Sequence, residues 1–211
     1  GQHLLHAAAL ALPGDRQQSF LLFAPSGRGK TTTALALALG GFALMTDDAT
    51  VLQPRGMGGR TAACAWGLPR ALKVHHNTAR MLPAVAPLLG IQWDEFGEQV
   101  LPVATLARVA PVLPARPLPV ASIAILGERT SGDHVLEVCS KAKVLAMVAQ
   151  DNLARSPGGV LPEQVARFGG MAALIEAAKA ITIPALLVRG GSEVGRRAAL
   201  AAPCLCRSSS A

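Results

Sequence analysis

The chain has 211 residues and a mass of 21.7 kDa, enough for one full-sized hydrophobic core. Hydrophobic residues make up 51% and charged residues 16%, a balance that excludes an intrinsically disordered protein. The formal net charge of +7 indicates an acidic partner, and phosphate explains it better than nucleic acid because only 3% of residues are aromatic.

The first predicted elements are two short strands, at residues 4–12 and 19–24, joined by a Pro-Gly turn. From Lys30 the run TTTALALAL predicts a helix, which the following Gly-Gly pair ends in a left-handed conformation. Residues 42–46 then have strand character. This order of strand, glycine loop, helix and strand is a β-α-β unit, and it predicts an α/β fold with some parallel pairing.

The rest of the chain is less regular. Nine prolines between residues 50 and 119 make long elements improbable there, although residues 66–74 suggest an irregular strand and 78–90 a short helix broken by proline. Beyond this segment the chain predicts strands at 120–127 and 134–139 joined by a turn, a helix capped by Ser140, a helix over 162–180 interrupted by Gly-Gly, a strand at 181–188 and a helix at 192–202.

The glycine loop itself, Ala-Pro-Ser-Gly-Arg-Gly-Lys-Thr at residues 24–31, fits the Walker A pattern if alanine is accepted at its first position. Such a loop lets backbone N–H groups converge on a polyphosphate, and the helix after it adds the positive end of its dipole. Lys30 would reach the β- and γ-phosphates of ATP, and the Thr31 hydroxyl would bind Mg²⁺. The predicted nucleotide-binding residues are Pro25, Ser26, Gly27, Arg28, Gly29, Lys30, Thr31 and Thr32.

Two other interpretations of the loop are weaker. A flexible turn before a helix needs no ligand, but here an apolar strand precedes the turn and a helix follows it, as the phosphate-binding motif requires. A dinucleotide-binding fold is disfavoured because SGRGKTT lacks the third glycine of the GxGxxG pattern.

Asp47 and Asp48 follow the next predicted strand, and strand ends in an α/β sheet face the ligand crevice. One carboxylate there can hold Mg²⁺ while the other accepts the proton of an attacking hydroxyl. Spacing does not decide between them, since neighbours on an extended chain point to opposite sides. We assign Asp47 as the base and Asp48 as the metal-side carboxylate, against the alternative of two solvated turn residues.

Together these motifs resemble the catalytic domain of the HPr kinase/phosphorylase family and, more closely, HPr kinase-related P-loop proteins. The shared signature is a histidine on the strand before the loop, here His6, then SGxGK[ST] and a double Asp. The resemblance implies a P-loop-containing mixed sheet flanked by helices, of the phosphoenolpyruvate carboxykinase type. It also implies an ATP- and Mg²⁺-dependent kinase that phosphorylates a seryl hydroxyl of a protein or peptide, with His6 assisting catalysis.

The chain departs from that family in two places. The metal-binding acidic residue of its EVRGLG-like segment has no counterpart, the comparable stretch being GLPRALKV, and the loop associated with phosphorolysis is not recognisable. Neither phosphorylase activity nor HPr as the substrate is therefore carried over. Arg70 and Lys73 in this stretch are candidate phosphate contacts or plain surface cations, and His75-His76 lacks the acidic neighbours of a metal site.

Two rival functions stay open at this point, a small-molecule kinase or carboxykinase-like enzyme of the same fold and a non-catalytic nucleotide-binding regulator. We expect one domain over residues 1–203 and a disordered tail over 204–211. We also expect a cytoplasmic protein with no membrane or nucleic-acid partner, because no apolar run is long enough to cross a bilayer and no secretory signal opens the chain. The four cysteines read as free or buried thiols, and a homo-oligomer is left open.

Overall fold

The computed structural model describes residues 2–14, 16–57, 60–113, 115–127, 135–152, 169, 170, 172 and 185–189. The strands in these ranges are β1 His3–His6, β2 Ala8–Ala11, β3 Ser19–Phe23, β4 Ala43–Thr46, β5 Ala49–Met57, β6 Arg60–Gly67, β7 Leu72–His75, β8 Glu98–Leu101, β9 Leu118–Leu126, β10 Val135–Val138 and β11 Ala185–Arg189. The helices are α1 Lys30–Leu39, α2 His76–Met81, α3 Val103–Leu106 and α4 Lys141–Asn152, with a short 3-10 helix at Ala86–Leu88.

Nine of these strands form one mixed sheet in the order β1-β5-β6-β9-β3-β2-β4, with β11 and then β10 added beside β9. β3 and β11 pair with β9 in parallel, and the other pairs in this sheet are antiparallel. β7 and β8 form a separate antiparallel ribbon. The fold is therefore mixed α/β, with a large and mostly antiparallel sheet and helices packed against it.

Both faces of the central strands are buried, which explains why their sequences are continuously apolar rather than alternating. In β3, Phe20 and Leu22 pack with α1, whereas Leu21 and Phe23 pack on the opposite face with residues of α4. The helices thus cover the sheet from two sides. This packing excludes water from β3, the strand that leads into the glycine loop.

The β-α-β prediction is confirmed in a specific form. β2 lies between β3 and β4 and is antiparallel to both, so β3 and β4 run in the same direction without touching. The helix between them ends as predicted: Gly41 has φ 103°, its N–H donates to Ala38, and the N–H of Phe42 donates to Leu37. These two bonds form a Schellman motif, which returns the chain toward β4.

Several expectations about the later chain are wrong in detail. β5 and β6 form a long antiparallel hairpin inside the segment where prolines predicted only short elements. Pro54 is tolerated there because it lies beyond the four residues of β5 that pair with β1, so its nitrogen can face an open edge. The strand predicted over residues 66–74 is divided between β6 and β7. The strands predicted at 120–127 and 134–139 are present as β9 and β10, although β10 pairs with β11 and not with β9.

Other predicted elements agree with the structure or fall outside it. The short helix of residues 78–90 corresponds to α2 and the 3-10 turn, and Ser140 caps α4 by accepting from the N–H of Lys143 at 3.3 Å. Gly169 and Gly170 are helical rather than a break. The helix at 192–202, most of the helix at 162–180 and the tail at 204–211 lie outside the described residues, so the domain boundaries stay predictions.

Gly67, at the end of β6, is a close-packing point behind the site. A Cβ on this residue would lie 2.2 Å from the carbonyl oxygen of Met45 and 2.8 Å from Cβ of Thr46. Because those atoms belong to β4 and cannot move freely, we expect Gly67→Ala to lower the free energy of unfolding by about 3 kcal/mol. Urea unfolding followed by circular dichroism measures this loss.

Gly90→Ala is the matched control for that substitution. Its new Cβ would meet only the side-chain oxygen of Gln99 at 3.7 Å, an ordinary contact. The control should therefore unfold close to the parent. Equal stability of the two variants would contradict the close approach of Gly67 to β4.

Candidate functional site

The glycine loop lies between the end of β3 and the start of α1. Gly27 has φ 74° and Gly29 has φ 96°, left-handed values that side chains other than glycine rarely adopt. Gly29 is the N-cap of α1 and provides no side-chain cap, and no acidic residue lies in the first turn. The first N–H groups of α1 are consequently left without a side-chain acceptor at the positive end of the helix dipole, an arrangement suited to an anion.

Lys30 is the first residue of α1, and its ammonium group is turned inward. The side chain is 8% exposed, and Nζ donates to the backbone oxygen of Asp47 at 2.8 Å and to Oδ1 of Asp48 at 2.6 Å. A cation at a helix N-terminus is disfavoured by the dipole, so this pairing compensates for its position. Two of its three N–H donors are used in these contacts, and the third has no partner in the described part of the chain, so it is available to a ligand.

The double aspartate forms the bend between β4 and β5, and its two carboxylates point to different partners. Asp47 is buried, and its Oδ2 accepts from the Thr31 hydroxyl at 3.1 Å. The Asp48 side chain is 48% exposed, and its Oδ2 has no hydrogen-bond partner among the described residues. Thr46 shapes the bend, because its hydroxyl accepts from the N–H of Ala49 at 3.3 Å.

His6 approaches the same carboxylate from β1. Its Nε2 lies 2.7 Å from Oδ1 of Asp48, the oxygen that Lys30 also contacts. The sheet register explains this convergence, since His6 is paired with Ala49, the residue after Asp48. Nearby, the buried Thr50 hydroxyl donates to the carbonyl of Ala7 at 2.7 Å and fixes the break between β1 and β2.

The two carboxyl groups are shifted in opposite directions. Burial raises the pKa of Asp47 above its ordinary value of 3.8, against the attraction of Lys30, and the neighbouring charge of Asp48 adds to the increase. The hydrogen bond from His6, together with Lys30, holds the pKa of the Asp48 carboxyl well below its usual range. Asp48 is therefore ionised throughout the neutral range, whereas burial makes the charged form of Asp47 less favourable than that of an exposed aspartate.

This difference predicts that Asp47→Asn stabilises the protein. A raised pKa in the folded chain means that Asp47 costs nothing below its ordinary pKa of 3.8 and destabilises the fold as pH rises through the folded value. Asparagine removes the charge and keeps an oxygen for the Thr31 hydroxyl. We expect a higher midpoint temperature near neutral pH, measured by calorimetry, and a difference that shrinks as pH falls toward 4.

Asp94→Asn provides a control for that prediction, because Asp94 is exposed and an amide oxygen can replace its acceptor contacts with the N–H groups of Phe96 and Glu98. A lower midpoint temperature for Asp47→Asn than for the parent near neutral pH would contradict the argument.

Of the residues selected from the sequence, Lys30, Thr31, Asp47, Asp48 and His6 meet in one cluster. Thr32 instead shares a 2.7 Å hydroxyl contact with the buried Thr78 of α2. Pro25 accepts from the N–H of Arg28 in the loop's turn, and Ser26, Gly27 and Arg28 are exposed.

The candidates outside the loop are not drawn into this cluster by any hydrogen bond or ion pair among the described residues. Lys73 pairs with Glu98 at 3.4 Å, and Arg70 is exposed. His75 caps α2 by accepting from the N–H of Asn77, and its ring lies 4.0 Å from that of His76. Structural roles explain these histidines.

Sequence reasoning missed Thr78 and Asn152. Thr78 contacts the first turn of α1, and the side-chain oxygen of Asn152 accepts from the N–H of His6 at 2.6 Å. Both contacts join residues far apart in the chain, and neither residue belongs to a recognisable motif. No local signal could have found them.

In the part of the chain that the structure describes, no three or more His, Cys, Asp or Glu side chains gather as a metal site. The oxygen donors at the loop are the two carboxylates and the Thr31 hydroxyl. Such a set suits Mg²⁺, which takes few protein ligands and completes its shell with phosphate oxygens and water. Within the same described ranges, no helix has the length and apolar character needed to cross a membrane.

The protein is thus a mixed α/β protein in which a glycine loop leads into the uncapped N-terminus of α1, beside a buried lysine and two carboxylates. No protein-family model matches the chain, and no curated protein matches it. Among solved structures, the chain is similar to the Hpr(Ser) kinase/phosphatase from Coxiella burnetii, with 12% identity over 98% of this chain and 90% of that one. The TM-score is 0.41, so this likeness is slight.

Proposed function

We propose that the protein is an ATP-dependent kinase that transfers the γ-phosphoryl group to a seryl hydroxyl of a protein or peptide. The observation that carries the proposal is the convergence of Lys30 and His6 on one oxygen of Asp48, beside an uncapped glycine loop. Phosphoryl transfer requires mainly positioning and charge stabilisation, and these groups supply both. The seryl acceptor rests on the sequence resemblance alone.

The loop and Lys30 form the nucleotide side of the proposal. The free N–H groups at the start of α1 would bind phosphate oxygens, and the remaining donor of Lys30 would reach the transferred group. Mg²⁺, held by Thr31 and Asp47, would neutralise charge on the phosphates. Asp47 suits this role because it is buried and already accepts a hydrogen bond from the Thr31 hydroxyl.

Asp48 is then the group that meets the acceptor. Its side chain is half exposed, and Oδ2 is available while Oδ1 is fixed by Lys30 and His6. This favours the reverse of the assignment made from the sequence, with Asp48 as the base and Asp47 on the metal side. The lowered pKa of Asp48 keeps it ionised, so it can orient a hydroxyl before it receives the proton.

The reaction proposed is an in-line displacement. A lone pair of the acceptor oxygen forms a bond to the γ-phosphorus, and the bond from that phosphorus to the bridging oxygen breaks, with its electrons leaving on ADP. The acceptor proton passes to Oδ2 of Asp48. Lys30 stabilises the charge that develops on the transferred group.

A transfer assay with γ-labelled ATP tests the proposal. The purified chain is incubated with Mg²⁺, labelled ATP and separate pools of proteins, serine-containing peptides and small hydroxyl metabolites. Label on a seryl residue supports the proposal. Label only on a metabolite overturns the acceptor class, and nucleotide binding without turnover with every pool overturns the kinase activity.

A further inference from the structure

β1, the strand that carries His6, lies at the edge of the sheet, so the backbone groups on its outer side need hydrogen-bond partners from outside the sheet. β1 pairs with β5 on one side, and no other described strand pairs with it. An edge strand has outward N–H groups that need partners when they are buried. At His6 the partner is the side-chain oxygen of Asn152, at 2.6 Å.

Asn152 is itself firmly held. It is the last residue of α4, it is 7% exposed, and its Nδ2 donates to the carbonyl of Val148 at 3.0 Å. Val144 and Val148 are fully buried against the same face of the sheet as Leu5. The acceptor offered to His6 is thus fixed by α4 and its packing.

The imidazole ring of His6 makes one polar contact among the described residues. Nε2 contacts Asp48, while Nδ1 is buried and has no hydrogen-bond partner among the described residues. A proton on Nδ1 would be buried without an acceptor, so the proton belongs on Nε2, where it is donated to Asp48. With one contact at the ring, the direction of the imidazole depends on the backbone of His6.

We infer that Asn152 is a positioning residue, which fixes the backbone of His6 so that the imidazole donates to Asp48. The effect of Asn152 on catalysis rests on the proposed kinase function, whereas its effect on the orientation of the His6 ring is independent of that function. The role would connect α4, more than a hundred residues away in sequence, to the orientation of the base.

Three variants test the inference. Asn152→Leu removes the acceptor at similar volume, and Asn152→Asp keeps an oxygen for the His6 N–H while losing the donation to Val148. Val148→Ala is the matched control, since it loosens the packing of α4 but leaves the backbone carbonyl and the Asn152 contact. Ring signals of the protein's five histidines are recorded with ¹⁵N-labelled histidine, and His6 is assigned by its loss in His6→Gln.

In the parent, the His6 ring is expected to show a protonated Nε2 and an unprotonated Nδ1. In Asn152→Leu the two nitrogen signals should move toward each other, as the ring samples both tautomers. Phosphoryl transfer should fall by about 10- to 100-fold with unchanged nucleotide affinity. Asn152→Asp should recover much of both properties, and Val148→Ala should retain them.

A parental His6 spectrum in Asn152→Leu would overturn the inference, as would an equal loss of transfer in Val148→Ala. The spectra are recorded without nucleotide, so they decide the role of Asn152 even if the chain transfers no phosphate. Absence of transfer in the parent would end the kinase proposal alone.

Discussion

A Lys30→Met variant is expected to lose most phosphoryl transfer, with kcat/KM for ATP lower by about 100- to 1,000-fold. Among the described residues, Lys30 is the only lysine or arginine whose side chain forms an ion pair with either aspartate. Methionine fills the space of the buried aliphatic stem but donates no hydrogen bond. The variant therefore removes charge stabilisation of the transferred group and leaves the packing of α1 in place.

Steady-state kinetics with γ-labelled ATP measure this loss, and calorimetry gives the nucleotide affinity separately. Lys143→Met is the matched control, because Lys143 is exposed on α4 and the same charge is removed. The control should keep the parental rate. If Lys30→Met retained that rate, the loop would not be the site of phosphoryl transfer.

The N-terminal part of the fold could be predicted because its signals are local. The turn residues, the alanine and leucine run and the Gly-Gly stop are all read within a few residues, and the structure has the corresponding α1 and Schellman motif. The predicted hairpin is formed by β2 and β3, but the strand predicted over residues 4–12 is divided into β1, which pairs with β5, and β2. The position of β2 between β3 and β4 could not be predicted. Strand order depends on pairing between distant segments, which apolar sequences do not encode by periodicity when both faces are buried.

The β5–β6 hairpin shows a different limit. The prolines of residues 50–119 predict broken elements, but Pro54 lies past the four residues of β5 that pair with β1, so no strand there requires its missing N–H. Whether a proline breaks a strand depends on which edges are paired, and the sequence alone does not show that. The pairing of β10 could not be predicted either, because its partner β11 comes about fifty residues later in the chain.

Within the site, the loop and the double aspartate were found from the sequence because their chemistry is confined to short motifs. His6 was chosen only through the resemblance, since a histidine on an apolar strand is no signal by itself. The division of roles between Asp47 and Asp48 depends on burial and on contacts with Thr31 and His6. Those contacts follow from how β1 and α1 approach the bend, a tertiary property.

The second large effect is expected from Asp48→Asn. If Asp48 receives the proton of the acceptor, replacing its carboxylate by the amide of asparagine should lower kcat by about 100- to 10,000-fold, because the amide cannot take up that proton. Nucleotide affinity should be unchanged or tighter, because the Lys30 ammonium loses its carboxylate and turns more readily to phosphate. Rapid mixing with γ-labelled ATP and a fixed acceptor measures the rate, and calorimetry measures the affinity.

Stability distinguishes the two aspartates independently of activity. The lowered pKa of Asp48 contributes stability above its ordinary pKa of 3.8, and this contribution is lost as pH falls toward the folded value. Asp48→Asn should therefore lower the midpoint temperature near neutral pH, the opposite of the effect expected for Asp47→Asn. Asp94→Asn, an exposed substitution of the same kind, should change neither rate nor stability.

The pair of variants also decides which carboxylate is the base. With Asp47 on the metal side, Asp47→Asn should raise the Mg²⁺ concentration needed for half-maximal rate, whereas Asp48→Asn should leave it near the parental value. A titration of rate against Mg²⁺ compares the two. In the opposite pattern, Asp48→Asn would keep its activity but need more Mg²⁺ for half-maximal rate. That result would identify Asp47 as the base and would leave the contact between His6 and Asp48 without a catalytic role.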